Sequence, residues 1–586
     1  MSAVERAVAA AERTAADLTA RTAALIGRRV VANAENLVAA RDRGLTLAAA
    51  AVALIVAPLA FGERVPLTTW ARDYALPLDT SLRWAAGQVP HLDYAIPVGA
   101  AYWLAQGLAV ELTGLDAISP VVANLIVAAV LAPLAWLLLA PRLTGGLVGL
   151  VLLATTAMIV SPRALGDPIS LVSFLGAYNK YGLAILAVLL AAMFVARPAA
   201  PTRAQWTRDA AVIAALMVWL VYLKVTFAAI ALAGGVVALH YAPGNRRAVV
   251  AGIAGAAALV LAIGAATGIN GPYLDDLARA AGAAEALRAK KLFEDLAGAP
   301  VTLLAFALAL VFTWRLAAAA RPAKVSETVV ALGLFAAGVL AMNQVHDHAL
   351  PLAFAALVVL AHRAQGLGAR AHLPATIAAA ALVGIATVND LGSAARYHVL
   401  QDSPLAVDYC EAADAPACGL AHFFPGDAAG KLSALPAPRL GGGAPLPETG
   451  IARAGASELD RACNSVAICV YWQSHAQLFT LLNAILEPDD RPYQLGFTSL
   501  LAYYWQLTPP RGVPAWIDLA RTFAKGTPPD AEALFADVTV LVVSRNNFTS
   551  DRVSGPAGLY DADIARLFDE LVETDFWAIW RRRPSP

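Results

Sequence analysis

The sequence predicts a mainly α-helical, polytopic membrane protein that ends in a mixed α/β region, and three observations predict it. The 586 residues are 59% hydrophobic and 15% charged, with a mean hydropathy of +0.61, outside the usual range of soluble globular domains. Apolar segments recur up to about residue 390, and arginines recur in every second loop between them. The 43 basic and 43 acidic residues cancel, so no global field points to nucleic acid.

Residues 1–43 form the first region: Ala-rich, punctuated by Arg6, Arg13, Arg21, Arg28, Arg29, Arg41 and Arg43. They are too long and polar for the charged start of a cleavable signal peptide, and read as a cytoplasmic helical tail. The second region, 44–390, holds clear apolar segments at 44–61, 118–140, 144–162, 181–196, 209–224, 225–242, 248–268, 299–314, 326–343, 349–362 and 373–390. Several are near the lower length limit for crossing about 30 Å of hydrocarbon. The run 96–112 is shorter and is interrupted by Gln106 and Glu111.

Charge decides how that run lies. Arg142, then Arg197, Arg203 and Arg208, then Arg246 and Arg247, then Arg315, Arg321 and Lys324, then Arg363 and Arg370 fall in alternate loops. By the positive-inside rule these share the cytoplasmic side with the tail. They do so only if 96–112 stays out of the bilayer, so it reads as a juxtamembrane helix on the outer face, with Tyr102 and Trp103 at the interface. The expectation is about eleven crossings, N-terminus in and C-terminus out. Outer loops are then 62–117, 163–180, a turn at Lys224, 269–298 and 344–348.

The third region, 391–586, is long enough for a core of its own and reads as a periplasmic α/β domain. Within it "APLPETGIARAGASELD" reads as loop, "SHAQLFTLLNAILEP" as helix and "ADVTVLVVS" as a buried strand; "DADIARLFDELVETDFWAIWRRR" reads as helix and then strand. Cys410, Cys418, Cys463 and Cys469 all fall here. They lack the spacing of a zinc site, so two disulfides are expected, with three connectivities open.

The outer loops gather the unusual polar groups: Asp79, His91 and Asp93; Asp167, Tyr178, Asn179 and Lys180; Lys224; Asp275, Asp276, Arg279, Arg288, Lys290 and Lys291; His346, Asp347 and His348. Carboxylates and cations over one membrane face suit removal of a group from a lipid phosphate. The cations hold the phosphate, and a carboxylate takes a proton from the incoming hydroxyl. Desolvation raises such a carboxylate toward a useful base.

An aspartate after the first crossing, followed by "GQVPHLDYAIPVGAAYWLA", resembles the first outer loop of type C integral-membrane glycosyltransferases, in particular the bacterial protein mannosyltransferase and aminoarabinose transferase group. Asp79, Gly87, Pro90, Asp93, Tyr94 and Pro97 occupy the matching places, and Asp167, Lys224 and His348 follow in the matching order. The resemblance covers about 44–390. It implies an inverting transferase of the bacterial cytoplasmic membrane that uses a polyprenyl-phosphate-linked sugar donor and a glycan, lipid or protein acceptor. It implies Asp79 as general base, with Asp93, Asp167 and His91 shaping the acceptor side and Lys224, His348, Lys180 and Lys290 holding the donor phosphate. Thr80 stands where many relatives have Glu or Gly, and "LGDPIS" has one acid where metal-dependent oligosaccharyltransferases have a pair. No metal cofactor is therefore expected.

Each residue has a plainer reading. Asp79 as N-cap of "TSLRWAA" stands beside Asp79 as base; Asp93 and Asp167–Pro168 suit turns; Lys224 suits snorkelling to headgroups. A rival function of another class is a lipid or sugar transporter or flippase with a periplasmic binding domain. Transporters of that kind show internal repeats and mid-membrane charges, and the sequence shows no clear repeat.

Overall fold

The computed structural model describes residues 43–60, 65–67, 71–163, 174, 176–197, 200–283, 307, 311, 314, 350–365, 369–401, 406–408, 420–423, 478–517, 522, 528–545, 557–574 and 577–584. The tail 1–42, nearly all of 299–314, all of 326–343, the loop 444–460 and the four cysteines lie outside the described residues.

The first region runs α1 (Arg43–Ala60), β1 (Val65–Leu67), α2 (Ala71–Ala85), α3 (Ala100–Thr113), α4 (Ser119–Leu139), α5 (Gly145–Val160), α6 (Ala177–Phe194), α7 (Arg203–Leu223), α8 (Val225–Tyr241), α9 (Arg246–Thr267) and α10 (Asn270–Ala283). After the undescribed stretch come α11 (Leu350–Gln365) and α12 (Ala369–Gln401). Among the described residues five helices are long and apolar enough to cross a membrane: α4, α6, α7, the one over 243–267 and the one over 373–401. Four shorter apolar stretches accompany them, including 145–160 and 225–241.

α6 is the centre of the bundle. Its apolar span is 94% buried, against 22% for the span that contains α9. That contrast places α6 among other helices and α9 at the periphery of the described bundle. Gly182 lets α8 approach α6: a Cβ there would lie 2.2 Å from the Phe227 ring. At its C-terminal end, Asn245 donates to the carbonyls of Ala192 (3.1 Å), Met193 (3.0 Å) and Val195 (2.8 Å), satisfying groups that a helix end leaves open. α7 starts with a capping box, Thr202 with Gln205. A single extended residue, Lys224 (φ −163°, ψ 110°), then separates it from α8.

α3 has 14 residues, about 21 Å of helix and well short of the hydrocarbon thickness. It buries Tyr102, Ala105, Gln106 and Ala109 and exposes Leu104, Leu108 and Leu112. Spacing by four puts those leucines on one face. This apolar stripe, and not Tyr102, is the surface available to lipid. Tyr102 turns inward, with its ring 5.7 Å from Tyr178 and 6.2 Å from Tyr181.

The later residues form β2 (Ala406–Asp408), β3 (Leu420–Phe423), β4 (Pro492–Leu495), α13 (Leu501–Tyr504), α14 (Ala531–Leu534), β5 (Val540–Ser544), α15 (Asp561–Leu567), β6 (Phe568–Glu573) and β7 (Trp577–Arg582). Residues 478–485 are helical, inside the stretch expected to be helix. The strand expected in "ADVTVLVVS" is β5, and the expected helix and strand near the end are α15, β6 and β7. A four-stranded sheet has the order β4-β5-β7-β6. Leu541 on β5 packs with Tyr493, Phe535, Ile564 and Phe568. A smaller sheet, β1-β3-β2, pairs β1 in parallel with β3, so residues that follow α1 and residues from beyond the last long helix share one ladder.

Candidate active site

Asp79 lies inside α2, which begins eight residues earlier at Ala71 and accommodates Pro77. It therefore does not cap the helix, contrary to the plainer reading. The one-turn spacing from Asp79 to Arg83 puts both side chains on one face, and Arg83 Nε donates to Asp79 Oδ2 at 2.8 Å. Asp79 is 2% exposed and Arg83 1%. Burial pushes the Asp79 carboxyl above the ordinary carboxylate range, while the charge and hydrogen bond of Arg83 pull against the shift. The guanidinium is held by other partners too: its NH1 donates to Gln88 Oε1 (2.8 Å) and to the Pro510 carbonyl (3.1 Å). Its carbon also sits 4.4 Å from the centre of the Tyr94 ring.

The turn after α2 is built by its polar residues. Asp93 Oδ2 accepts from Val89 N (2.8 Å), the local bond expected of an Asp in a turn, and Oδ1 pairs with Arg511 at 3.1 Å. His91 takes a left-handed backbone, φ 69°, uncommon for a non-glycine residue. Its Nδ1 lies 2.8 Å from Asp276 Oδ2, and its ring is 4.6 Å from Tyr273. The same Asp276 oxygen accepts from Ile96 N at 3.1 Å. α10 thus holds the loop in place through one buried carboxylate.

Three residues after Ile96, the loop meets the break between α7 and α8. Gly99 N donates to the Leu223 carbonyl (3.0 Å), and a Cβ at Gly99 would lie 2.1 Å from the Tyr222 carbonyl oxygen. Only glycine permits that approach. The adjoining Lys224 donates to Asn179 Oδ1 (3.1 Å) and stands 5.5 Å from the Tyr178 ring centre. The Tyr94 ring that Arg83 meets lies five residues before Gly99, so the loop connects the Asp79–Arg83 pair to the break at Lys224 along the chain. Lys180, on the first turn of α6, is fully buried and donates to the carbonyls of Ser161 (2.7 Å) and Arg163 (3.3 Å). Arg163 in turn pairs with Asp390 of α12 at 3.1 Å.

The C-terminal part lies over this corner. The Pro509 and Pro510 carbonyls accept from Gln88 (2.6 Å) and Arg83, while Gly512 N and Ala515 N donate to the carbonyls of Asp93 (2.7 Å) and Ala95 (3.1 Å). Residues 509–515 form a strap across residues 83–95. Beside it a shallow depression, open to solvent, is lined by Ile96, Pro97, Asp276, Arg279, Pro514 and Trp516. The Trp516 ring is 6.5 Å from Tyr178, so the depression borders the Lys224 corner.

Of the residues singled out from sequence, Asp79, His91, Asp93, Lys180 and Lys224 are placed at this end of the bundle; Asp167, Lys290 and His348 lie outside the described residues. Among the described residues no three His, Cys, Asp or Glu side chains are grouped to hold a metal ion. Sequence reasoning missed Arg83, whose signal was its position one turn after Asp79. It also missed the Arg163–Asp390 pair, which joins residues 227 apart and leaves no local signal.

No family model and no curated protein matches the chain. Among solved structures it is similar to two crystal structures of ArnT from Cupriavidus metallidurans, in the apo state and bound to undecaprenyl phosphate. Identities are 13% and 14%, the alignments cover 91% of this chain and 96% of those, and both TM-scores are 0.38. ArnT is an aminoarabinose transferase, one of the group named from the sequence. At a TM-score that low, the likeness by itself assigns neither fold nor function to this chain.

Proposed function

We propose that the chain is a glycosyltransferase of the bacterial cytoplasmic membrane, with its C-terminal region in the periplasm. It moves a sugar from a polyprenyl-phosphate donor to a hydroxyl of a glycan, lipid or protein acceptor. The supporting observation is Asp79, a buried carboxylate that one guanidinium grips on one oxygen, joined through the first outer loop to the cation Lys224. In this reading Asp79 takes the acceptor hydroxyl's proton. The hydroxyl oxygen attacks the anomeric carbon from the face opposite the phosphate, and the carbon–oxygen bond to the phosphate breaks with inversion. Lys224 meets the charge that develops on the departing phosphate. His348 and Lys290 are proposed as further phosphate ligands; Lys180, already bonded to two carbonyls, adds its field. Asp93, His91 and Asp167 shape the acceptor side, with Trp516 and the Arg279–Asp276 pair beside them. No metal is assigned a role.

The test uses vesicles that contain the purified protein and a polyprenyl-phospho-sugar. The expected products are free polyprenyl phosphate and a new glycoside. Asp79→Asn, folded and expressed as wild type, loses about 10²- to 10⁴-fold in transfer, the range for removal of a general base. Transfer at the wild-type rate by that variant removes Asp79 from the role.

A further inference from the structure

At the end of the bundle remote from Asp79, three arginines meet one carboxylate. Arg142, in the turn after α4, places NH2 2.6 Å from Asp209 Oδ2. Arg197, just beyond α6, grips both oxygens: Nε to Oδ2 at 3.0 Å and NH2 to Oδ1 at 2.7 Å. Arg208 reaches Oδ1 at 3.5 Å. The Asp209 and Arg142 side chains are each 1% exposed and Arg197 7%, while Arg208 is 42% exposed at the rim. Arg246 and Arg247 open α9 next to Asn245, which closes the same end of α6. Lys224 lies sixteen residues along α7 from Arg208, about 24 Å away.

The charges do not balance. Two nearly sealed guanidiniums and one at the rim face a single carboxylate, and Asp209 is the only acid among the described residues of these turns. Buried charge is stable when it is paired. Burial lowers the Arg142 pKa, the charge and hydrogen bond of Asp209 pull against that shift, and the neighbouring Arg197 and Arg208 add to it. Arg142 Nε is buried with no hydrogen-bond partner among the described residues, a donor within the same cluster. The cluster sits where three apolar helices end, the level at which lipid headgroups lie.

We propose that Arg142, Arg197 and Arg208 form a binding site for the phosphate of an anionic phospholipid headgroup, with Asp209 fixing the guanidiniums that receive it. Arg208, at the rim, makes first contact, and Arg142 and Arg197 supply the buried field. A zwitterionic lipid brings its own cation and gains less.

The full-length protein in detergent is titrated with phosphatidylglycerol or with phosphatidylcholine of the same acyl chains. Bound lipid is read by native mass spectrometry and stability by thermal unfolding. Phosphatidylglycerol is expected to bind with one site per chain that phosphatidylcholine does not fill, and to raise the unfolding midpoint. Arg208→Gln weakens that site roughly tenfold, with its midpoint in phosphatidylcholine unchanged; Arg208→Lys keeps part of the affinity. Equal binding of the two lipids, unchanged phosphatidylglycerol affinity in folded Arg208→Gln, or the same stabilisation by inorganic phosphate alone would each overturn the proposal.

Discussion

Asp79 and Asp209 lie at opposite ends of the helical bundle, each nearly sealed from solvent and each bonded to arginine, yet the bonding differs. Arg83 reaches one oxygen of Asp79, and Arg83 is itself bonded to Gln88, Pro510 and Tyr94. Asp209 has both oxygens occupied by Arg197 and a further bond to Arg142. A carboxylate bonded on one side keeps capacity to accept a proton; one saturated by guanidiniums is committed to holding helices together. Burial alone does not separate a base from an anchor. The count of donors on each oxygen does.

Exchanging the lesions between the two sites tests the distinction. Asp79→Asn is expected to cut transfer by the 10²- to 10⁴-fold given above while yielding folded protein. Asp209→Ala leaves two buried guanidiniums without their carboxylate and is expected to lower stability by about 3–5 kcal/mol, read as lost folded yield, with little change in rate per folded molecule. If both substitutions act on rate, or both on yield, the distinction fails. Gly99→Ala comes next: its methyl would displace the loop from the Tyr222 carbonyl, at about 1–3 kcal/mol and with loss of transfer, measured by thermal unfolding beside the vesicle assay.

The pH response separates the sites more finely. The folded-state pKa of Asp79 is raised above the ordinary value of 3.8, so folding favours its protonated form. Its stabilising contribution is complete below that ordinary value and is lost as pH rises through the folded one. Unfolding midpoints of wild type should therefore fall across that window relative to Asp79→Asn, while transfer should rise as the base is unmasked. A wild-type profile parallel to that of the variant would remove Asp79's shift. The smallest effect expected is that of Arg511→Ala. Its half-exposed pair with Asp93 contributes under about 1 kcal/mol, because the backbone bonds of the strap remain.

Much of the helical region was legible because apolar runs and alternating arginines report a bilayer directly. α4, α5, α8 and α9 begin and end within two residues of the expected segments, α7 starts six residues before its own, and the break at Lys224 sits where the basic loops required a turn. The candidate site was legible only in part. Asp79 and Lys224 stood out as charges beside apolar helices, but the residues that define their surroundings come from far along the chain. Arg163 finds Asp390 only when α12 packs against α1 and α5, and Asp276 reaches His91 across 185 positions. From the sequence Asp79 reads as a possible cap because it directly precedes "TSLRWAA"; Pro77, inside α2, hides a start as early as Ala71.

The strap at 509–515 also sets an order of events. Gln88 and Arg83 wait for carbonyls that lie 421 and 427 residues downstream. At ordinary translation speeds of about 5–20 residues per second, that is roughly 20 to 80 seconds of synthesis. During that interval the helices can insert and pack, while the corner around Asp79 lacks the partners that complete it. A chain cut short before its last hundred residues would carry the bundle without the strap that bonds Arg83 and Gln88.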